Sequence, residues 1–298
     1  MEVDIIKTIQ LMRNPFLDAL FSAITVLGDE MFFIIVGAIL YWCFDKRFGY
    51  KFINVYLLGN ACIEGIKSLV ARPRPYTHEG IVSVTERTSG YSFPSGHSHS
   101  VGNMSTQLSA HYRKKAFYIG GAVLCLLVTF SRLYLGQHFV SDVLVGVALG
   151  VGCAFAFGEL FELLKDKEEY IVLGVVPLCA IILIVLIACG QAGNAENVLK
   201  VLGAYSALSI GYFLEKKYVR LDVKCNWWMQ IIKAVVGLLL VLAVKEGFKL
   251  FLPKDIPLLY SFLRYFLVGI TASLGACALF KLCHLEPKKT QTPDQKEV

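Results

Sequence analysis

The chain has 298 residues, 56% of them hydrophobic and only 17% charged, with a mean hydropathy of +0.59, which lies outside the range of a water-soluble globular domain. Its formal net charge of +6 at pH 7 calls for no acidic partner and no nucleic acid, because the excess sits largely in short loops between apolar stretches. The composition reads as an all-α, polytopic membrane helix bundle.

The first residues, MEVDIIKTIQLMRN, set Val3, Ile6, Ile9 and Leu11 among Asp4, Lys7 and Arg13. That pattern is amphipathic and lacks the basic-then-apolar order of a cleavable signal, so residues 1–29 are expected to form an N-terminal interfacial segment. Within it, the apolar run Pro15 to Val26 is cut off by Gly28, Asp29 and Glu30 and reads as a short re-entrant or interfacial helix. A bilayer span needs roughly 20 mostly apolar residues. Candidate spans follow at 30–45, 51–70, 98–112, 116–132, 139–164, 170–189, 198–215, 227–247 and 258–281, about nine in all. Residues 286–298 are polar, with two prolines and several lysines, and read as a disordered tail.

The nine cysteines fall mostly in or beside apolar stretches without CxxC spacing, and are expected to pack as small hydrophobes. Basic residues recur in alternate loops: Lys46, Arg47 and Lys51; Arg113, Lys114 and Lys115; Lys165 and Lys167; Lys216, Lys217, Arg220 and Lys224; Lys281, Lys288 and Lys289. By the positive-inside rule the N-terminus lies outside and the C-terminus inside. Lys245, Lys249 and Lys254 on a supposed outside loop run against this, although Glu246 and Asp255 accompany them.

Three segments hold residues that membrane helices normally exclude. Lys67 ends the second span, and Arg72 and Arg74 follow in a proline-interrupted stretch that cannot continue as a regular helix. Three cations this close repel one another unless an anion sits among them, and guanidinium forks match phosphate oxygens. Snorkelling toward lipid headgroups is the structural alternative. Pro94, Ser95, Gly96 and His97 enter the next helix, where free N–H groups, a hydroxyl and a glycine make an anion cradle, or merely a cap. Arg132 ends a span, and His138 and Asp142 stand four apart on one helical face. A carboxylate that holds one imidazole nitrogen leaves the other free as a nucleophile. On the topology above, all three segments meet at the outer face.

In order and spacing these blocks read K-x6-RP, PSGH and SR-x5-H-x3-D, and over residues 67–142 the chain resembles the type 2 phosphatidic acid phosphatase (PAP2) family. The resemblance implies a six-helix catalytic core over residues 30–165, further transmembrane helices over 166–285, and metal-independent hydrolysis of a lipid phosphate or diphosphate through a phosphohistidine, with no cofactor. It further implies that His138 is the nucleophile, Asp142 orients it, and His97 protonates the leaving oxygen and then activates water. Lys67, Arg74, Ser95, Gly96 and Arg132 would bind the phosphate.

Arg72 stands outside the signature and reads as a contact to the surrounding residues or to a lipid headgroup, Glu64 as a partner of Lys67, and Glu79 and Arg87 as loop residues that shape access. A zinc site built from His78, His97 and His99 is the metal alternative, without an acidic or cysteine ligand at usual spacing. The substrate tail stays open among phosphatidic acid, phosphatidylglycerol phosphate, a polyprenyl diphosphate and a sphingoid phosphate. Phosphotransfer to an acceptor hydroxyl and non-catalytic lipid transport are the competing functions. The setting expected is a bacterial plasma membrane with the site outside; oligomeric state is not legible.

Overall fold

The computed structural model describes residues 1–88, 90–165, 167–188, 192–251 and 257–287. Cys189, Lys254, Asp255 and most of the expected polar tail lie outside the described residues. Regular structure among them is helical throughout, and the chain divides into two compact units.

The first unit takes in residues 1–38 and 48–168. It holds α1 (Glu2–Gln10), α2 (Pro15–Thr25), most of α3 (Glu30–Ile39) and of α4 (Lys46–Val70), α5 (Gly96–Tyr112), α6 (Lys115–Tyr134) and α7 (Val140–Leu163). Local sequence sets each start. Asn14 caps α2 by accepting from the Leu17 N–H at 2.9 Å, with Pro15 in the first turn, where its missing N–H costs nothing. Asp29 turns to extended backbone and accepts from the Met31 N–H at 2.8 Å, so the expected break at Gly28 to Glu30 is a 52° bend between the Pro15–Gly28 and Glu30–Phe44 segments. Ser95 caps α5.

Close approach of α5 and α7 is what brings two of the three motifs together. A Cβ at Gly146 would lie 2.6 Å from the Ser95 carbonyl oxygen, and one at Gly150 would collide with that of His99. Small residues at helix crossings replace the hydrophobic drive that lipid cannot supply, by letting backbones touch.

The second unit, residues 39–47 and 169–298, contains α8 (Val172–Ala188), α9 (Ala192–Leu214), α10 (Trp227–Phe251), α11 (Pro257–Ile270) and α12 (Ala276–Leu282). Wider π-type turns occur at Leu40–Phe44, Glu215–Val219 and Thr271–Gly275. Gly203 meets the Phe262 carbonyl and Gly237 the Trp42 ring, so these two of the glycines in the later helices serve close contacts. Lys46 of the first basic loop pairs with buried Glu215 at 2.7 Å, and within α10 the buried Lys233 donates to the Val223 carbonyl at 2.8 Å.

Five described helical stretches are long and apolar enough to cross a membrane, Lys115–Tyr134, Val140–Leu163, Val198–Val219, Trp227–Phe248 and Leu259–Leu282, and six if the bent N-terminal pair is one span. The expected spans at 51–70 and 98–112 are helices, but α4 carries Lys51, Glu64 and Lys67, and α5 has 17 residues rich in Ser, His, Asn and Gln. The expected count of nine is therefore not reached among the described residues. The eight cysteines among the described residues are free thiols.

Candidate active site

All eight residues expected to carry the chemistry belong to the first unit, and the structure brings them together at the N-terminal ends of α5 and α7. The Ser95 N–H donates to the Asp142 carbonyl at 3.0 Å, which ties the cap of one helix to the first turn of the other. Ser95 Oγ accepts from the Ser98 N–H at 3.3 Å and from its hydroxyl at 2.9 Å. Beside this cap, the Lys67 ammonium lies 3.5 Å from where a Cβ on Gly96 would stand. Lys67 also pairs with Glu64 at 2.6 Å, as the spacing of three on one helix predicts.

His138 sits in the short connection between α6 and α7 and is almost fully buried. Its Nδ1 is 2.8 Å from the Ser92 carbonyl oxygen and 3.7 Å from Asp142 Oδ2. The direct Asp142–His138 hydrogen bond expected from the sequence is thus replaced by one to Ser92. A carbonyl only accepts, so Nδ1 carries the proton and the lone pair is on Nε2. Arg74 Nη1 points to that Nε2 at 3.3 Å, so the free nitrogen faces a buried guanidinium. Burial holds the imidazole well below its usual pKa; Asp142 acts in the opposite sense, and the Arg132 and Arg74 charges add to the lowering. The ring is therefore neutral near pH 7.

Asp142 is completely buried. Its Oδ2 accepts from the Phe139 N–H at 2.8 Å and from the Ser92 hydroxyl, and its Oδ1 accepts from Arg72 Nη1 at 2.8 Å. The carboxylate thus caps α7 and grips the residue whose carbonyl holds His138. Arg74 also donates from Nε to the Gly90 carbonyl at 3.0 Å and from Nη1 to that of Gln137 at 3.3 Å, which fixes the loop over the site.

Arg132 is buried to the same degree as His138. Its Nη1 donates to Thr25 Oγ1 at 2.9 Å, while its Nε is buried without a hydrogen-bond partner among the described residues. A guanidinium held this way is costly unless an anion completes it. His97, in the first turn of α5, packs its Cβ near Gly28 and lies within electrostatic reach of Arg132, His138, Lys67 and Arg74.

Sequence reasoning missed Ser92, Thr25 and Gln137 as parts of the site, and Arg72 proves to bind Asp142 directly. The three histidines of the zinc alternative do not converge: His78 packs edge-on against Phe139 at 5.8 Å, and buried His99 sits beside Gly59 and Tyr56. Among the described residues, no three metal-ligating side chains cluster. Glu79 and Arg87 are exposed, the latter over the Tyr76 ring at 5.6 Å.

Residues 48–166 match the family model described as PAP2 superfamily, and residues 199–289 match the PAP2 superfamily phosphatase transmembrane extension. Phosphatidylglycerophosphatase B of Bacillus subtilis is 32% identical over 184 residues, which cover 55% of this chain and 82% of that protein. Sphingosine-1-phosphate phosphatase 1 of Rattus norvegicus is 25% identical over 254 residues, covering 77% of this chain and 59% of the relative. The crystal structure of a transmembrane PAP2-type phosphatidylglycerolphosphate phosphatase from Bacillus subtilis is 29% identical, covering 54% of this chain and 84% of that one, with a TM-score of 0.48.

Proposed function

Since this chain belongs to the PAP2 superfamily of membrane phosphatases, we propose that it hydrolyses a lipid phosphate or diphosphate through a phosphohistidine on His138, without a metal. The observation that carries this reading is His138, whose Nε2 faces Arg74 while Nδ1 is held by Ser92. Nε2 attacks phosphorus, the bond to the lipid oxygen breaks, and His97, which takes up a proton as the phosphate anion binds, gives that oxygen the proton. Water, deprotonated by His97, then attacks the phosphohistidine. Phosphate leaves, and the electron pair returns to Nε2. Throughout, Nδ1 keeps its proton and donates it in a hydrogen bond to the Ser92 carbonyl.

Lys67, Arg74, Arg132, the Ser95 hydroxyl and the backbone at Gly96 take the phosphate oxygens. Fixed donors that meet charge as it develops need no reorganisation during the reaction. The unpartnered Arg132 Nε supports an anionic substrate. Residues 30–165 supply the catalytic core and 166–285 additional transmembrane helices. The site faces outward from a bacterial plasma membrane, a placement supported by the basic residues in alternate loops. Phosphatidylglycerol phosphate, the substrate in the name of the Bacillus relative, heads the candidates.

Phosphate release by purified protein in detergent, with chelator present, tests this against phosphatidylglycerol phosphate, phosphatidic acid, undecaprenyl diphosphate, sphingosine phosphate and glucose 6-phosphate. Chelator-resistant release from at least one lipid is expected. Dephosphorylation of lipid without free phosphate, once an acceptor alcohol is added, would indicate phosphotransfer; no turnover of any member by folded protein would overturn the reading.

A further inference from the structure

We propose that Glu2 is a positioning residue for the reaction: through Arg72 it sets Asp142, and with it the His138 nucleophile, so that helix α1 is a working part of the catalytic apparatus. The inference rests on the reading of His138 as nucleophile.

Both oxygens of Glu2 are engaged. Oε2 accepts from Arg72 Nη2 at 2.6 Å, and Oε1 accepts from the Ser141 N–H at 2.8 Å, in the first turn of α7, where an anion is favoured by the helix dipole. On its other side Arg72 donates from Nη1 to Asp142 Oδ1 at 2.8 Å and to the Ser141 hydroxyl at 2.7 Å, with its guanidinium stacked 4.0 Å above the Phe139 ring. The charges run Glu2, Arg72, Asp142 in alternating sign, and the last of them grips Ser92, whose carbonyl holds His138. The Glu2 carboxyl stays ionised: partial burial would raise its pKa, but Arg72 and Ser141 hold it below the usual value.

Arg72 is a long side chain that remains partly exposed. Asp142 and Ser141 both hold Nη1, whereas Glu2 holds Nη2, the other arm of the fork, and so anchors the guanidinium from its opposite edge. Helix α1 holds Glu2 in place by contacts elsewhere along its length. Fully buried Ile6 packs with Ile81 and Phe139, joined by Val3. Gln10 donates to the Val82 and Tyr134 carbonyls and accepts from the Val82 N–H. The helix thus packs against Phe139, the neighbour of His138 in sequence.

The test is steady-state turnover of dilauroyl phosphatidic acid by the purified full chain in detergent, for wild type, Glu2→Gln, Arg72→Gln and the double variant, with His138→Ala as the null. Misplacing a reacting group by a fraction of an ångström to one ångström costs on the order of 10- to 100-fold. Glu2→Gln is expected to lower kcat roughly 10-fold and Arg72→Gln roughly 100-fold, with KM within about twofold. The double variant is expected to match Arg72→Gln alone, because Glu2 acts through Arg72.

Unchanged kcat in Glu2→Gln with only a lower unfolding temperature would overturn the proposal, as would losses that multiply in the double variant or appear only in KM. Should Glu2→Gln not fold, Glu2→Asp, which keeps the charge but falls one methylene short, carries the same comparison. Wild-type protein that releases no phosphate from this lipid or from any other member of the panel would overturn the phosphatase reading itself and this inference with it; a wild type active only on another panel lipid is compared with its variants on that lipid, and an active wild type matched by its Glu2 variant overturns the inference alone.

Discussion

Replacement of His138 by alanine is expected to abolish phosphate release, with a loss of roughly four orders of magnitude or more in protein that remains folded. The loss should be this large because no other neutral nitrogen occupies the position: Nε2 faces Arg74 at 3.3 Å, and Nδ1 is committed to the Ser92 carbonyl at 2.8 Å. The remaining donors would still bind lipid phosphate, so binding survives while turnover does not. Residual turnover within about tenfold of wild type would mean that water attacks phosphorus directly and that His138 only assists.

Asp142→Asn is expected to reduce kcat roughly 100- to 1,000-fold. All the atoms around this carboxylate are donors: Arg72 Nη1 on Oδ1, and the Phe139 N–H and Ser92 hydroxyl on Oδ2. An asparagine keeps one oxygen, and whichever way its amide turns, its NH2 meets a donor in a site closed to water. If the amide faces Ser92, that residue shifts and the His138 tautomer is no longer enforced. If it faces Arg72, the guanidinium is pushed away from the first turn of α7. Kinetics of folded Asp142→Asn protein check this, and activity within about threefold of wild type would show that the negative charge is not what holds His138.

The two predictions bear differently on how far the sequence could be read. His138, Asp142, His97, Lys67, Arg74, Arg132, Ser95 and Gly96 stood out because ionisable and hydrogen-bonding residues in so apolar a chain need a reason to be there, and their spacing falls into three ordered blocks. The structure gathers them at the paired ends of α5 and α7. The manner in which Asp142 acts was not legible. Spacing of four on a helix placed it beside His138, but the helix begins only at Val140, so His138 lies in the preceding connection and turns its Nδ1 to Ser92.

Ser92 itself is one of several serines in the 72–94 loop, and nothing local separates it from Ser83. Its contact to Asp142 spans 50 residues and that of Glu2 to Arg72 spans 70, separations at which pairing is decided by the packing of helices and not by neighbouring sequence. Glu2 carried the further difficulty that an acidic residue early in an amphipathic helix has an ordinary explanation in the helix dipole.

At the level of the fold, helix positions were legible because long apolar runs have few other outcomes. The number that qualify as spans was less so, since α4 and α5 carry the polar residues of the candidate site. Lys67 in α4, and His97 with the buried His99, Asn103 and Gln107 in α5, lower the apolarity of helices that carry candidate site residues. The bend at Gly28 was visible as a break, but not its cause: a Cβ there would stand 2.7 Å from Val128 and 3.1 Å from the His97 Cβ, so the turn that interrupts the N-terminal run also walls the site.

The central claim, that phosphate passes through His138, is tested most directly by trapping. Wild-type protein mixed with 32P-labelled phosphatidic acid and quenched within milliseconds in alkali should carry label that is stable to base and released by acid, as a phosphoramidate is, and His138→Ala should carry none. Equal labelling of the two proteins, or label stable in acid, would contradict the account by placing the phosphoryl group on another residue.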